Sequence, residues 1–262
     1  MGRLDGKVAI ITGASDGLGR VMATVFSAEG AALVLAARRT EMLQETARMV
    51  REGGGTALAV STDVTHEDDV MAMVRAAVEE FDGVDVLINN AAQPGRDLYI
   101  WEQTVENWNA TIAIDVTAAM VCTREVLRQS MLERGAGSIV NVSSTAGWNG
   151  IPRKSHYCVA KAGLRILTKV AAQEVGPRGI RVNCLVPGGI QTELLHNYWV
   201  RLADEQGVPW QEIRDRSAKA VALERVATTD EVTAAALFLA SDESSAITGQ
   251  SIVVDCGGVL VG

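Results

Sequence analysis

Seven short apolar runs, rich in β-branched residues, punctuate the chain: KVAIITG (7–13), AALVLAAR (31–38), TALAVSTD (56–63), VDVLINNA (84–91), GSIVNVSS (137–144), IRVNCLVPG (180–188) and SIVVDCGG (251–258). None alternates apolar with polar. Continuous apolar runs suit strands covered on both faces, which means a parallel sheet. Between them lie stretches with helical period, such as RVMATVFSAEG, EMLQETARMVREGG and EDDVMAMVRAAVEEF. Several end in glycine, as helix C-termini often do. Strand–helix alternation of this kind predicts repeated βαβ units. The expected fold is α/β: a doubly wound parallel sheet of seven strands with helices on both faces. No Pro/Gly/Ser linker divides the chain, so residues 1–262 read as one domain. One segment, about 189–224, breaks the rhythm between the sixth and seventh runs. It is polar, with two Trp, a Pro and no clear strand. After a strand's carboxyl end, such an excursion is a natural lid or substrate loop.

Composition narrows the class. The chain has 262 residues, 48% hydrophobic and 21% charged, enough to bury a core without staples. Net charge is −8 with no basic block, which argues against nucleic acid as the main partner. Cys122, Cys158, Cys184 and Cys256 are scattered and form no CxxC pair, so they read as reduced thiols rather than disulfides or a metal site. No apolar run approaches the about 20 residues of a membrane span, and the N-terminal run is short for a signal peptide. A soluble cytoplasmic protein is the expectation, with no metal.

The first strand runs into TGASDGLGR, where Gly13, Gly17 and Gly19 are spaced GxxxGxG. Glycines let backbone approach a pyrophosphate, and the following helix offers free N–H groups and its positive dipole end. The strand-to-helix setting favours a dinucleotide loop over a plain tight turn. Asp63, ending the third run, could accept from an adenine amine or cap a helix. Asn89 and Asn90, ending the fourth, could bind a cofactor or tie loops together. The fifth run ends in Ser143 and Ser144; Tyr157 follows Ser144 by thirteen residues, and Lys161 lies one helical turn further. These could converge at the sheet's carboxyl edge, where ligands bind in such folds. An ammonium beside a phenol favours the phenolate. A phenol tuned in this way can exchange a proton with a hydroxyl or carbonyl oxygen.

TGASDGLG, Asp63, NNAA, the Ser–Tyr–Lys set and VPGGIQT together closely resemble the short-chain dehydrogenase/reductase family, over essentially the whole chain. The resemblance implies a Rossmann fold and an NAD(P)-dependent oxidoreductase acting on a carbonyl or secondary alcohol. It implies Tyr157 as acid/base, Lys161 as its support and as a ribose ligand, and Ser144 as the group polarising the substrate oxygen. It places Gly13, Ser15, Gly17, Leu18 and Gly19 at the pyrophosphate and Asp63 and Val64 at the adenine. Asn90 and Ala91 become the fourth strand's cofactor contact, and Pro187, Gly188, Ile190 and Thr192 the stretch beside the nicotinamide carboxamide. It further implies a homotetramer, or at least a dimer.

The sequence departs from the family pattern in places. NNAA, ending in Ala92, replaces NNAG. Asp115 stands where the family has the Asn that completes a catalytic tetrad, in TIAIDVTAA. An ionised Asp there would hold the Lys161 proton more tightly. The second strand ends in Arg38 and Arg39, where NAD-using members place an acidic residue; guanidinium suits a 2′-phosphate. Asp16, where many NADP-using members carry a basic residue, argues the other way. NADP is the expected cofactor and NAD the alternative.

All Trp and Tyr residues lie from Tyr99 to Trp210. Trp101, Trp148, Tyr198, Trp199 and Trp210 fall in segments that would rim the pocket. Such clustering fits either a bulky or aromatic substrate or packing of the lid and a subunit interface. Arg96, Arg153, His156 and His196 read as surface residues rather than an anion clamp.

Overall fold

A computed structural model describes residues 2–259. Seven parallel strands form one sheet in the order β3-β2-β1-β4-β5-β6-β7: β1 Val8–Thr12, β2 Ala32–Ala37, β3 Thr56–Ser61, β4 Val86–Asn89, β5 Gly137–Val142, β6 Ile180–Pro187 and β7 Ser251–Val254. Every strand falls inside one of the seven apolar runs. The runs do not alternate because both faces are covered. In β1 and β2 the pleat sends Ala9, Ile11, Leu33 and Leu35 into one core. It sends Ile10, Val34 and Ala36 into another.

The helices are α1 Gly17–Ala28, α2 Thr40–Glu52, α3 Glu67–Phe81, α4 Val105–Ile112, α5 Ala118–Val126, α6 Leu132–Arg134, α7 Ser155–Val175, α8 Glu193–Gln206, α9 Trp210–Lys219 and α10 Thr229–Ala240. Helices α1, α2 and α10 cover the first core, and α3, α5 and α7 the second. From α4 to α6 the chain is one helical run, widened into π-turns at Ala113–Thr117 and Leu127–Met131.

The segment about 189–224 holds no strand, as its composition predicts. It folds into α8 and α9 over a small cluster of Trp199, Ala203 and Ile213. A bridge from Ile190 to Ala227 closes its base. No helix among the described residues is long and apolar enough to cross a membrane. All four cysteines are free; burial pushes the Cys122 thiol up to about 12.

Candidate active site

The strand order reverses between β1 and β4, and a cleft of about 1050 Å³ opens at the carboxyl edge there. Every residue expected at the cofactor lines this cleft, as do Ser144, Tyr157 and Lys161.

The glycine spacing has a specific geometric cause. A Cβ on Gly19 would stand 2.2 Å from the Gly13 carbonyl oxygen, so only glycine lets α1 start this close to the loop. Gly17 is the converse: φ is +51° and a Cβ would meet nothing within 4 Å, leaving open cleft above the backbone. Asp16 makes no capping bond to α1, and no acidic residue sits in its first turn. An uncapped helix end beneath open space fits a pyrophosphate. Asn90 holds the loop in place: its Nδ2 donates to the carbonyls of Thr12 (2.9 Å) and Gly13 (3.3 Å). Asn89 is internal, donating to Asn141 Oδ1 at 2.8 Å and to Thr123 Oγ1 at 3.2 Å. Both amides thus make structural ties, and of the two only Asn90 also lines the cleft.

Asp63 is not a helix cap; His66 stands at that position of α3. Its carboxylate accepts from the Thr65 amide and hydroxyl, with Arg38 at 3.8 Å. Burial raises the Asp63 carboxyl, but the Thr65 hydrogen bonds and Arg38 outweigh it and leave it below its ordinary value. Arg39 bridges Asp16 at 2.6 Å and Ser15 Oγ at 3.1 Å. Each guanidinium at the end of β2 therefore already faces a carboxylate.

The chemical centre is built around Lys161, one turn after Tyr157 on α7. Its ammonium donates to the Val142 carbonyl at 3.1 Å, lies 3.1 Å from Asp115 Oδ2, and sits 5.5 Å from the Tyr157 ring centre. The side chains of Lys161 and Asp115 are 3% and 0% exposed. Burial pulls the ammonium pKa down, but the charges of Asp115 and Tyr157 more than offset it and hold it above its ordinary value. Asp115 Oδ1 accepts from the Gln93 amide at 2.8 Å; Oδ2 has the ion pair and no hydrogen bond of normal geometry. Asp115 lies within the π-turn Ala113–Thr117, a helical distortion frequent at functional sites. Ser143 Oγ donates to the Lys161 carbonyl at 2.8 Å and so anchors α7. Ser144 faces the cleft, its hydroxyl accepting from the Ala146 amide at 3.1 Å.

One expectation needs correction, and for the aromatic residues the packing alternative prevails at most positions. His156 is fully buried, not a surface residue. Its Nε2 donates to the Pro94 carbonyl at 2.9 Å and its Nδ1 accepts from Gln103 Nε2 at 2.7 Å, pinning the loop after β4 to α7 beside Tyr157. Of the five pocket-rim aromatics, only Tyr198 lines the cleft. Trp199 is buried in the cluster between α8 and α9, Trp148 packs under the Arg165 guanidinium at 3.2 Å, and Trp101 stacks on Tyr99 at the surface. Their place in the segments after β4, after β5 and in 189–224 is readable from the sequence, but their facing is not. Missed altogether were Asp97, Lys154 and Arg201, which meet at the cleft from three separate segments.

Comparison with known proteins agrees with this geometry. A family model described as enoyl-(acyl carrier protein) reductase matches residues 13–258. The cis-4-hydroxycyclohexanecarboxylate dehydrogenase of Sinomonas cyclohexanicum is 39% identical over 253 residues, covering 96% of each chain. Among solved structures, NAD+-bound xylitol dehydrogenase superposes with a TM-score of 0.92 at 29% identity, covering 97% of this chain and 99% of that one. An actinorhodin polyketide ketoreductase variant with NADPH gives 0.92 at 34% identity, covering 98% of both.

Proposed function

The chain belongs to the short-chain dehydrogenase/reductase family and is an NAD(P)-dependent oxidoreductase; from that premise we propose that it uses NADP(H) to interconvert a secondary alcohol and its ketone, with Tyr157 as the acid/base. The observation that carries this reading is the line of Asp115, Lys161 and Tyr157, a buried charge pair ending on a phenol in the cleft. In oxidation Tyr157 Oη takes the substrate's hydroxyl proton, and in reduction it returns one to the carbonyl oxygen. Ser144 Oγ donates to the same oxygen. Lys161 stays charged on Asp115 and favours the phenolate when the proton leaves. The bound nicotinamide supplies hydride exchange at the substrate carbon. Gly13, Gly17, Gly19 and the start of α1 would hold its pyrophosphate, and Asp63 and Val64 its adenine.

Arg38 and Arg39 support NADP, since guanidinium suits a 2′-phosphate. The acidic partners of both arginines favour NAD as the second reading, because a phosphate must compete with Asp16 and Asp63. We read the whole chain as one domain, with 189–224 as its lid. Exposed Val159, Ile166 and Val170 along α7 give an apolar stripe fitted to a dimer or tetramer contact. A six-membered ring alcohol is a fitting first substrate, given the relative named for one.

The test follows a panel of cyclic alcohols and ketones at the nicotinamide absorbance, with both cofactors and with Tyr157→Phe. Turnover should fall by at least about 100-fold in the variant. Dinucleotide binding, read by fluorescence, should persist. Wild-type rates in Tyr157→Phe would refute the mechanism.

A further inference from the structure

Lys154 stands three residues before Tyr157, and its side chain is only 16% exposed. Its ammonium has three N–H donors and spends none in a hydrogen bond among the described residues. Asp97 Oδ1 lies at 3.6 Å, beyond hydrogen-bond reach, and the Tyr198 ring at 4.4 Å offers only its face. The ammonium faces the cleft with its donors open to a further acceptor, and its one carboxylate partner is shared. Arg201, on α8, reaches the same carboxylate through one NH2 and leaves the rest of its fork free. Two cations therefore share one anion where the cleft meets the lid.

The surrounding charges do not cancel the surplus. Arg153 is neutralised by Glu205 at 2.7 Å. Glu193 also lines the cleft, but it is exposed and two helical turns before Arg201, about 12 Å along the axis. Lys161 is satisfied internally by Asp115. The excess is about one positive charge, matched by a monoanion; a phosphate dianion would leave the site negative.

Resting on the oxidoreductase reading above, we propose that the substrate carries a carboxylate, held between Lys154 and Arg201 while its alcohol or carbonyl carbon faces Tyr157. Asp97 positions both cations, and the Tyr198 face backs the Lys154 head. A tie between lid and loop would need Arg201 alone; Lys154 is the group that such a tie leaves unexplained.

The test uses the NADP-loaded protein and two nonreactive probes, cyclohexanecarboxylate and its primary amide, titrated by calorimetry. The acid should bind about tenfold more tightly than the amide, and the gap should shrink with salt. Lys154→Met should bring the acid-to-amide ratio within about twofold, and Lys154→Arg should restore it. A purely structural lysine would change both affinities together and leave their ratio alone. The proposal is overturned if wild type fails to distinguish the probes, weak binding of both included, or if Lys154→Met keeps the preference. Carboxylate preference without turnover of any alcohol would count against the oxidoreductase reading alone. Turnover without carboxylate preference would count against this proposal alone.

Discussion

Replacing Asp115 with Asn removes one charge from the most buried ion pair in the cleft and little else. Asn keeps the shape and keeps an oxygen for the Gln93 amide. The Lys161–Asp115 separation of 3.1 Å corresponds to about 5 kcal/mol of gross attraction at an effective dielectric of about 20. Desolvation offsets part of that in the pair. Removing one partner leaves the other ammonium buried and unpaired, which costs about 3–5 kcal/mol. The lower end is expected, because Lys161 can shed its proton.

The pH dependence provides the sharper test. In the native protein the Lys161 pKa is raised above its ordinary 10.5. Its contribution is therefore fully present below that value and is lost as pH climbs through the raised folded pKa. In Asp115→Asn the largest countercharge is gone and burial outweighs what Tyr157 supplies, so the folded pKa is expected to fall below the unfolded one. The variant's penalty then shrinks as pH rises toward 10.5. Urea unfolding of both proteins from neutral to alkaline pH reads this directly. Cys122 and other shared groups also titrate there, and the difference between the two proteins removes them. A stability loss at neutral pH below about 0.5 kcal/mol, with parallel alkaline profiles, would refute the charge-pair argument.

Two further outcomes follow from the cofactor end. Asp16→Asn frees Arg39 from an exposed pair worth less than about 1 kcal/mol, so NADPH affinity should rise roughly threefold to fivefold relative to NADH; an unmoved ratio would place the 2′ position elsewhere. Gly19→Ala puts a methyl 2.2 Å from the Gly13 carbonyl, and should cost about 1–3 kcal/mol in urea unfolding while weakening dinucleotide binding; unchanged values for both would show that the loop can yield.

The parts of this fold legible in the sequence are those with one-dimensional causes. A strand covered on both faces must be continuously apolar, and each of the seven runs contains its strand. A loop that must bring Gly13 and Gly19 together needs glycines at fixed spacing. Tyr157 and Lys161 share a helix, so their separation already carries their geometry. What stayed hidden depends on which way a side chain turns. Trp199 and Tyr198 are neighbours on α8, yet one packs into the cluster shared with α9 and the other lines the cleft. His156 is adjacent to Tyr157 but points into the protein, where Gln103 and Pro94 wait for it.

Asp97, Lys154 and Arg201 mark the limit of that legibility, and also its reason. They are separated by 57 and 47 residues, and Arg201 reaches Asp97 across 104. No local period links them, because the fold alone makes them neighbours. The cofactor site can be written into short motifs because the dinucleotide follows one strand edge and one helix end. The substrate site has no such line to follow. The contact proposed for it draws on a loop after β4, the approach to α7 and helix α8, three segments joined through Asp97 and its neighbours. Chemistry common to the family is therefore readable along the chain, while the substrate contact proposed for Lys154 emerges only when the fold sets it at the cleft beside the Asp97 it shares with Arg201.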